Sequence, residues 1–255
     1  MTTDPRPTEF REMPHWLFDL DEARPIALPS KPPSYLRNHK KNLQDRFVDG
    51  GAQAMPDYEL LELVLYRSLP RTDVKPIAQD LIDKFGDYNR VLSAPIQRLV
   101  EVAGVDDGVA RDLKVIEASA HRLARAKVMQ RPVISSWDAV LDYCHTTMAH
   151  RETEHFRVLY LDRKNVLIAD EEQSKGTVDH VPVYPREVVK RALELNASAL
   201  ILVHNHPSGD PTPSDADITM TSQIRDAADA LDIHLHDHLI IGKSTELSFR
   251  STGYL

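Results

Sequence analysis

The residues with the clearest chemical potential lie between positions 204 and 217. Two histidines, His204 and His206, stand one residue apart at the end of an apolar run, and Asp217 follows after a turn rich in proline. Neutral imidazole and carboxylate are ligands that divalent zinc accepts, and three protein ligands leave a fourth position for water. Zinc lowers the pKa of such a water toward neutrality. The stretch therefore predicts a three-ligand metal site of the hydrolytic kind.

A strand, a loop and a helix must hold these three side chains. Residues i and i+2 of a strand point to the same side, so His204 and His206 face the same way, about 6.6 Å apart along the backbone. Pro207 cannot donate to a β-ladder and should end the strand. Residues 208–211 turn the chain back, and Asp217 lies in the first turn of a predicted helix, where the helix dipole favours a carboxylate.

The same residues also fit a simpler, structural interpretation. Ser214 and Asp217 have the spacing of an N-terminal capping box, in which the carboxylate only satisfies a backbone N–H group. An isolated His-x-His pair is likewise more often two ordinary histidines. The combination of a strand-end His-x-His, a proline, a fixed turn and Ser-x-x-Asp rarely arises by accident, so the pattern favours the metal site.

The run from His204 to Asp217 resembles the JAMM motif of MPN-domain metalloproteases, in which His-x-His-Pro precedes Ser-x-x-Asp at the same spacing. Together with residues 184–188 and 236–242, this run is similar to the bacterial RadC family, whose traditional label is DNA repair protein. The resemblance covers roughly residues 34–255 and is stronger in the C-terminal half. It implies an α/β, mixed-sheet MPN (JAMM, cytidine-deaminase-like) domain preceded by a small all-α helix-hairpin-helix domain.

The resemblance also implies a set of site residues and an activity. A zinc ion (Zn2+) would be held by three ligands, namely His204, His206 and Asp217. Glu154, directly before a predicted strand, would be the general base, with Glu152 as the alternative. Ser214 would help to stabilise the oxyanion of the reaction. The implied function is a zinc metalloprotease- or isopeptidase-type hydrolase that cleaves an amide or isopeptide bond in a protein or peptide substrate.

A second group of histidines follows downstream, at His234, His236 and His238. Their period of two predicts that they share one face of a strand. A second metal site is one interpretation of this pattern. The resemblance gives these residues no ligand role, and we expect them to pack under or beside the first site or to face solvent.

The chain divides into three predicted segments. Residues 1–33 are rich in proline and predict a disordered tail. Residues 34–131 predict a helical, helix-hairpin-helix-like domain, and residues 132–255 predict the zinc domain. Arg131-Pro132 marks the change of pattern between them.

Residues 95–131 suggest an alternative function. Backbone N–H groups of a helix-hairpin-helix hold a DNA phosphate, which predicts a DNA-associated repair or recombination protein with weak DNA binding. At Asp106, however, the motif expects a second glycine, and Asp107 adds another carboxylate that would repel a phosphate. Basic side chains outnumber acidic ones in the helix that follows, so contact between this helix and a DNA backbone stays an alternative prediction.

Composition limits the remaining classes. The net charge is −8, and residues 132–255 hold nineteen acidic but only eleven basic side chains, so this half does not attract nucleic acid. Cys144 is the sole cysteine, which excludes an internal disulfide and predicts a reducing, cytoplasmic setting. The apolar runs are too short to span a bilayer, and we expect no secretory signal and no membrane association.

Overall fold

A computed structural model describes residues 34–129, 131–175 and 183–255. The predicted tail at residues 1–33 lies outside this part of the chain. Within the described residues, none of the helices combines the length and apolar character that crossing a membrane requires.

Six helices form the N-terminal part of the described chain. Their bounds are α1 Ser34–Gly50, α2 Asp57–Ser68, α3 Lys75–Phe85, α4 Tyr88–Ser93, α5 Ile96–Leu99 and α6 Asp107–Val128. Local sequence sets several of the ends. Pro76 stands in the first turn of α3, and Gly86 ends that helix at a φ of 104°. The helices enclose one buried apolar cluster, which includes Leu61, Leu65, Leu81, Leu99 and Leu113.

The short helix α5, a turn and the long helix α6 follow one another as the helix-hairpin-helix pattern predicts. At the turn, Asp106 is the N-cap of α6, and its Oδ1 accepts a hydrogen bond of 2.8 Å from the backbone N–H of Val109. A carboxylate therefore lies at the helix N-terminus where a phosphate would bind. This capping role explains why aspartate occurs in place of the glycine. DNA binding through residues 95–131 stays a prediction.

A five-stranded mixed sheet forms the C-terminal part. Its strands are β1 His155–Leu161, β2 Leu167–Lys175, β3 Ala199–Asn205, β4 His234–Ile241 and β5 Glu246–Ser248. The strand order is β2-β1-β3-β4-β5, with β3 and β4 parallel and the other neighbours antiparallel. This arrangement confirms the predicted mixed α/β class. The predicted domain boundary at residues 131–132 stays a prediction.

Helices cover both faces of the sheet. Helix α7 (Trp137–Met148) packs on one face, and α8 (Pro185–Glu194) and α9 (Asp215–Asp229) pack on the other. All seven residues of β3 are buried, as expected for a strand covered on both sides. A last short helix, α10 (Phe249–Thr252), follows β5. Leu200 and Leu202 of β3 face α9, and the alternation of the strand puts His204 on the same face of the sheet.

The downstream histidines do not share one strand face, so that prediction was wrong. The register of β4 against β3 skips His236, and such a bulge changes the direction of the side chains that follow. His236 Nε2 lies 2.6 Å from Asn165 Oδ1 between β1 and β2, whereas His238 is fully buried against His204. His234 is exposed. Within the described chain, the three histidines form no metal-binding group of their own.

Candidate metal centre

Four side chains converge where β3 meets α9. Glu154, His204, His206 and Asp217 each offer one ligand atom, and these atoms all lie within 4.8 Å of one another. The strand pairing explains how Glu154 reaches the group. Strand β1 runs antiparallel to β3 with Phe156 opposite His204, so the residue before β1 lies beside the end of β3.

The distances between the ligand atoms fit a zinc ion. His204 Nε2 lies 3.0 Å from His206 Nε2 and 3.4 Å from Asp217 Oδ1, and His206 Nε2 lies 3.7 Å from Asp217 Oδ2. Tetrahedral zinc with bonds of about 2.0–2.1 Å places its ligand atoms roughly 3.3 Å apart. The donor set of two imidazoles and one carboxylate is also one that zinc accepts.

The two imidazoles differ in their surroundings. His204 is fully buried, and this burial lowers the pKa of its imidazole to about 4, so that the neutral form, the one that binds metals, prevails near neutral pH. The carboxylate of Asp217 raises the pKa of His206. His206 Nδ1 donates a hydrogen bond of 2.8 Å to the carbonyl oxygen of Asp210, because a carbonyl can only accept. Its Nε2 is thus the nitrogen that faces the cluster.

Asp217 forms the capping box and also faces the two histidines. Its Oδ2 accepts hydrogen bonds from Ser214 N at 2.8 Å and from Ser214 Oγ at 2.6 Å, which completes a capping box at the start of α9. Its Oδ1 faces His204. Burial alone would raise the pKa of this carboxyl, but the adjacent imidazole of His206 and the hydrogen bonds from Ser214 hold the pKa well below its ordinary range. The carboxylate of Asp217 is therefore ionised, and its hydrogen bonds hold it in one orientation.

Ser214 is exposed, and its hydroxyl is engaged within the capping box. The hydroxyl donates to Asp217 Oδ2 and accepts from the backbone N–H of Asp217 at 3.2 Å. A hydroxyl has a single proton, so Ser214 must rotate before it can donate to a substrate oxyanion. Its predicted role in catalysis stays a proposal.

The structure separates the two glutamates that the sequence could not. Glu154 is buried and its Oε1 lies 3.9 Å from His204 Nε2. Glu152, two residues earlier, instead forms an ion pair with Arg98 of α5 at the surface. Of the two glutamates, only Glu154 belongs to the group of side chains that could hold a metal ion within the described residues.

The loop after His206 is fixed against the β4–β5 connection. Gly209 has a φ of 94°, a conformation that favours glycine, and its N–H donates to His206 O at 2.9 Å. A Cβ added at Gly242 would lie 2.4 Å from the carbonyl oxygen of Gly209, so only glycine permits this close approach. Lys243 Nζ adds a hydrogen bond of 3.1 Å to Ser208 O. These contacts hold His206 in place without a regular element around it.

Asn205, between the two histidines, joins β3 to the segment that carries Glu154. It is fully buried, and its Oδ1 accepts a hydrogen bond of 2.9 Å from the backbone N–H of His155. Its Nδ2 donates to Thr153 O at 3.1 Å. The two bonds enclose Glu154 and fix its backbone. Sequence reasoning missed this residue, although alternation along β3 implies that Asn205 points away from the two ligands.

We expect Asn205→Leu to destabilise the fold and to displace Glu154 while zinc stays bound. The substitution removes the acceptor of the His155 N–H and the donor to the Thr153 carbonyl, at a cost of about 1–3 kcal/mol for each buried group. Chemical denaturation measures the free energy of unfolding, and metal analysis measures bound zinc. Asn42→Leu, on the exposed surface of α1, is the matched control. An Asn205→Leu protein as stable as this control would contradict the role given to Asn205.

Two more residues, His238 and Thr221, contact the proposed ligands His204 and Asp217. His204 Nδ1 lies 2.7 Å from His238 Nε2, and His238 Nδ1 lies 2.6 Å from Thr221 Oγ1. Burial lowers the pKa of His238 well below its ordinary value. Thr221 follows Asp217 by one helical turn, a spacing that could have identified it in the sequence. The prediction that histidines from the second set pack beside the site is thus correct for His238.

Comparison with known proteins supports the same family as the motif. A family model described as a RadC-like JAB domain matches residues 134–254. A UPF0758 protein of Ruegeria pomeroyi is 76% identical over 223 residues, which cover 88% of this chain and 100% of the relative. The chain belongs to the RadC family. A second relative in this family, a UPF0758 protein of Rhodobacter capsulatus, is 71% identical over 213 residues, which cover 84% of this chain and 100% of the relative.

RadC membership confirms the resemblance drawn from the motif and the JAB/MPN fold of the C-terminal part. The matched range contains the whole cluster, from Glu154 to Asp217, and also His238. Neither RadC relative carries a reaction in its name.

Proposed function

We propose that this RadC-family protein is a zinc-dependent hydrolase of the JAMM type that cleaves an amide or isopeptide bond in a protein or peptide substrate. The observation that carries the proposal is the convergence of His204, His206 and Asp217 at separations suited to zinc, with the carboxylate of Glu154 beside them. A three-ligand site next to a separate acid–base group is the arrangement that metal-assisted hydrolysis requires.

The three ligands and the base would have different roles in the reaction. His204, His206 and Asp217 would hold zinc, which when bound supplies Lewis acidity to the substrate carbonyl and to water. Glu154 would take a proton from the attacking water as the new C–O bond forms. It would then return that proton to the nitrogen of the leaving amine as the C–N bond breaks. Ser214, after rotation away from Asp217, would donate a hydrogen bond to the oxyanion.

A closed, structural metal site is the competing interpretation. Four protein ligands are typical of structural zinc, whereas a catalytic zinc keeps one position open. Glu154 Oε1 lies 3.9 Å from His204 Nε2, a longer separation than the 3.0 and 3.4 Å to the other two ligands. Because His206 and Asp217 are themselves 3.7 Å apart, this spacing fits both a fourth ligand and a base beside the site, and the zinc content of Glu154→Gln distinguishes the two.

A cleavage screen tests the proposal directly. Cleavage of either an amide or an isopeptide releases a new amino group, so an amine-reactive label reports both. We would incubate the zinc-loaded protein with peptides, with lysine-linked peptide pairs and with a bacterial protein extract. The proposal expects new amines with the wild type, and none after chelation or with Glu154→Gln. Equal labelling by wild type and Glu154→Gln would overturn it.

A further inference from the structure

Behind the metal centre, four groups form a continuous chain of hydrogen bonds. It runs from the backbone carbonyl of Asp217 through Thr221 and His238 to His204, across α9, β4 and β3. The successive distances are 2.5 Å, 2.6 Å and 2.7 Å, each short enough for a hydrogen bond. This chain of hydrogen bonds therefore begins at one proposed ligand, Asp217, and ends at another, His204.

The chemistry of these groups fixes the direction of every bond. The carbonyl of Asp217 can only accept, so the single hydroxyl proton of Thr221 must point to it. Thr221 Oγ1 can then only accept from His238, which requires a proton on His238 Nδ1. His238 is fully buried against a hydroxyl and another imidazole, neither of which balances a positive charge, so it is neutral and carries no second proton.

The last bond decides the state of the ligand. With its proton on Nδ1, His238 presents a lone pair at Nε2, which accepts from His204 Nδ1–H. His204, neutral as well, then has a lone pair on Nε2, the atom that lies 3.0 Å from His206 Nε2 and 3.4 Å from Asp217 Oδ1. In the opposite direction, His204 would carry its proton on Nε2 and could not bind a metal there.

We infer that Thr221 and His238 are positioning residues that fix the proton of His204 on Nδ1 and so keep its Nε2 lone pair directed at the metal centre. The inference rests on the zinc site of the proposed function. Outer partners of metal-binding histidines set their tautomer and orientation, and their loss lowers metal affinity or activity by about 10–100-fold. Because the hydrogen-bond chain starts at the carbonyl of Asp217, it also connects α9, which bears one proposed ligand, to β3, which bears another.

Zinc affinity, measured by competition with a chelator of known affinity, provides the first test. Thr221→Val keeps the shape of the side chain but removes the hydroxyl, and we expect zinc affinity to fall about 10–100-fold. Thr221→Ser retains the hydroxyl and should bind zinc like the wild type. His238→Phe should weaken binding as Thr221→Val does, whereas His238→Gln, whose amide oxygen can accept from His204, should restore part of it. Wild-type affinity in both Thr221→Val and His238→Phe would overturn the inference.

Nitrogen NMR of the metal-free protein tests the same point without zinc, substrate or a variant. Spectra of 15N-labelled histidine distinguish a proton on Nδ1 from one on Nε2. We expect the Nδ1–H form for both His204 and His238. An Nε2–H form at either residue would overturn the inference. A wild type that binds no zinc would remove the proposed hydrolase, yet the tautomers would still be read from these spectra.

Discussion

Glu154→Gln is expected to lower the rate of cleavage by about 10²–10⁴-fold, the usual contribution of a general acid–base group, while bound zinc stays unchanged. Glutamine keeps the size of the side chain but cannot take a proton from water. The three proposed ligands come from β3, its loop and α9, and hydrogen bonds with His238, the carbonyl of Asp210 and Ser214 hold them in place. Turnover of the substrate from the cleavage screen and the zinc content of the same sample are the two measurements.

Glu152→Gln is the matched control for this prediction. It makes the same chemical change two residues away, where the carboxylate pairs with Arg98 at the surface. A surface ion pair contributes about 0–1 kcal/mol, so Glu152→Gln should retain both zinc and turnover. Loss of zinc from Glu154→Gln would instead identify Glu154 as a fourth ligand and the metal as structural. Full turnover by Glu154→Gln would remove it as the base.

Asp217→Ala is expected to abolish stable zinc binding and to destabilise the start of α9. The substitution removes a proposed ligand and also the acceptor for Ser214 N and Ser214 Oγ. Hydrogen bonds to a charged group contribute about 1.5–3 kcal/mol each, so a loss of that order is expected in the free energy of unfolding of the metal-free protein. Asp215→Ala, an exposed residue of the same helical turn, is the control and should bind zinc normally.

The effect of Asp217 on stability should depend on pH in a defined direction. Its pKa is lower in the folded protein than in the unfolded chain, so its stabilisation is complete above the ordinary carboxyl pKa of about 4. That stabilisation is lost as the pH falls through the lowered value. The difference in unfolding free energy between metal-free wild type and Asp217→Ala should therefore shrink in acid. A difference that grows as the pH falls would contradict this assignment.

The sequence could predict that His204, His206 and Asp217 meet in space because they are close together along the chain. The alternation of a strand brings His204 and His206 to one side, and the helix start fixes Asp217, so local rules suffice. Glu154 lies far upstream, and its place depends on the antiparallel pairing of β1 with β3. Only the family resemblance indicated it, and it left Glu152 open. The fold class was predictable for a similar reason, from the alternation of apolar strands and helices.

The direction of the His238 side chain and the bonds of Asn205 could not be predicted, because they depend on tertiary structure. The strand period of two placed His236 and His238 together, but a bulge in β4 separates them and directs only His238 to the site. A register irregularity of this kind leaves no reliable trace in the sequence. The two bonds of Asn205 also reach across to another strand. The same holds for Asp106, whose capping role becomes clear only once α6 is seen to begin there.

Metal analysis of the purified protein by mass spectrometry tests the central claim most directly. Wild type, His206→Ala and the Asp215→Ala control would be prepared identically, loaded with zinc and passed through a desalting column. The account predicts about one zinc per chain in the wild type and in Asp215→Ala, as for a single three-ligand site, and far less in His206→Ala. A wild type that retains no more zinc than His206→Ala would contradict it.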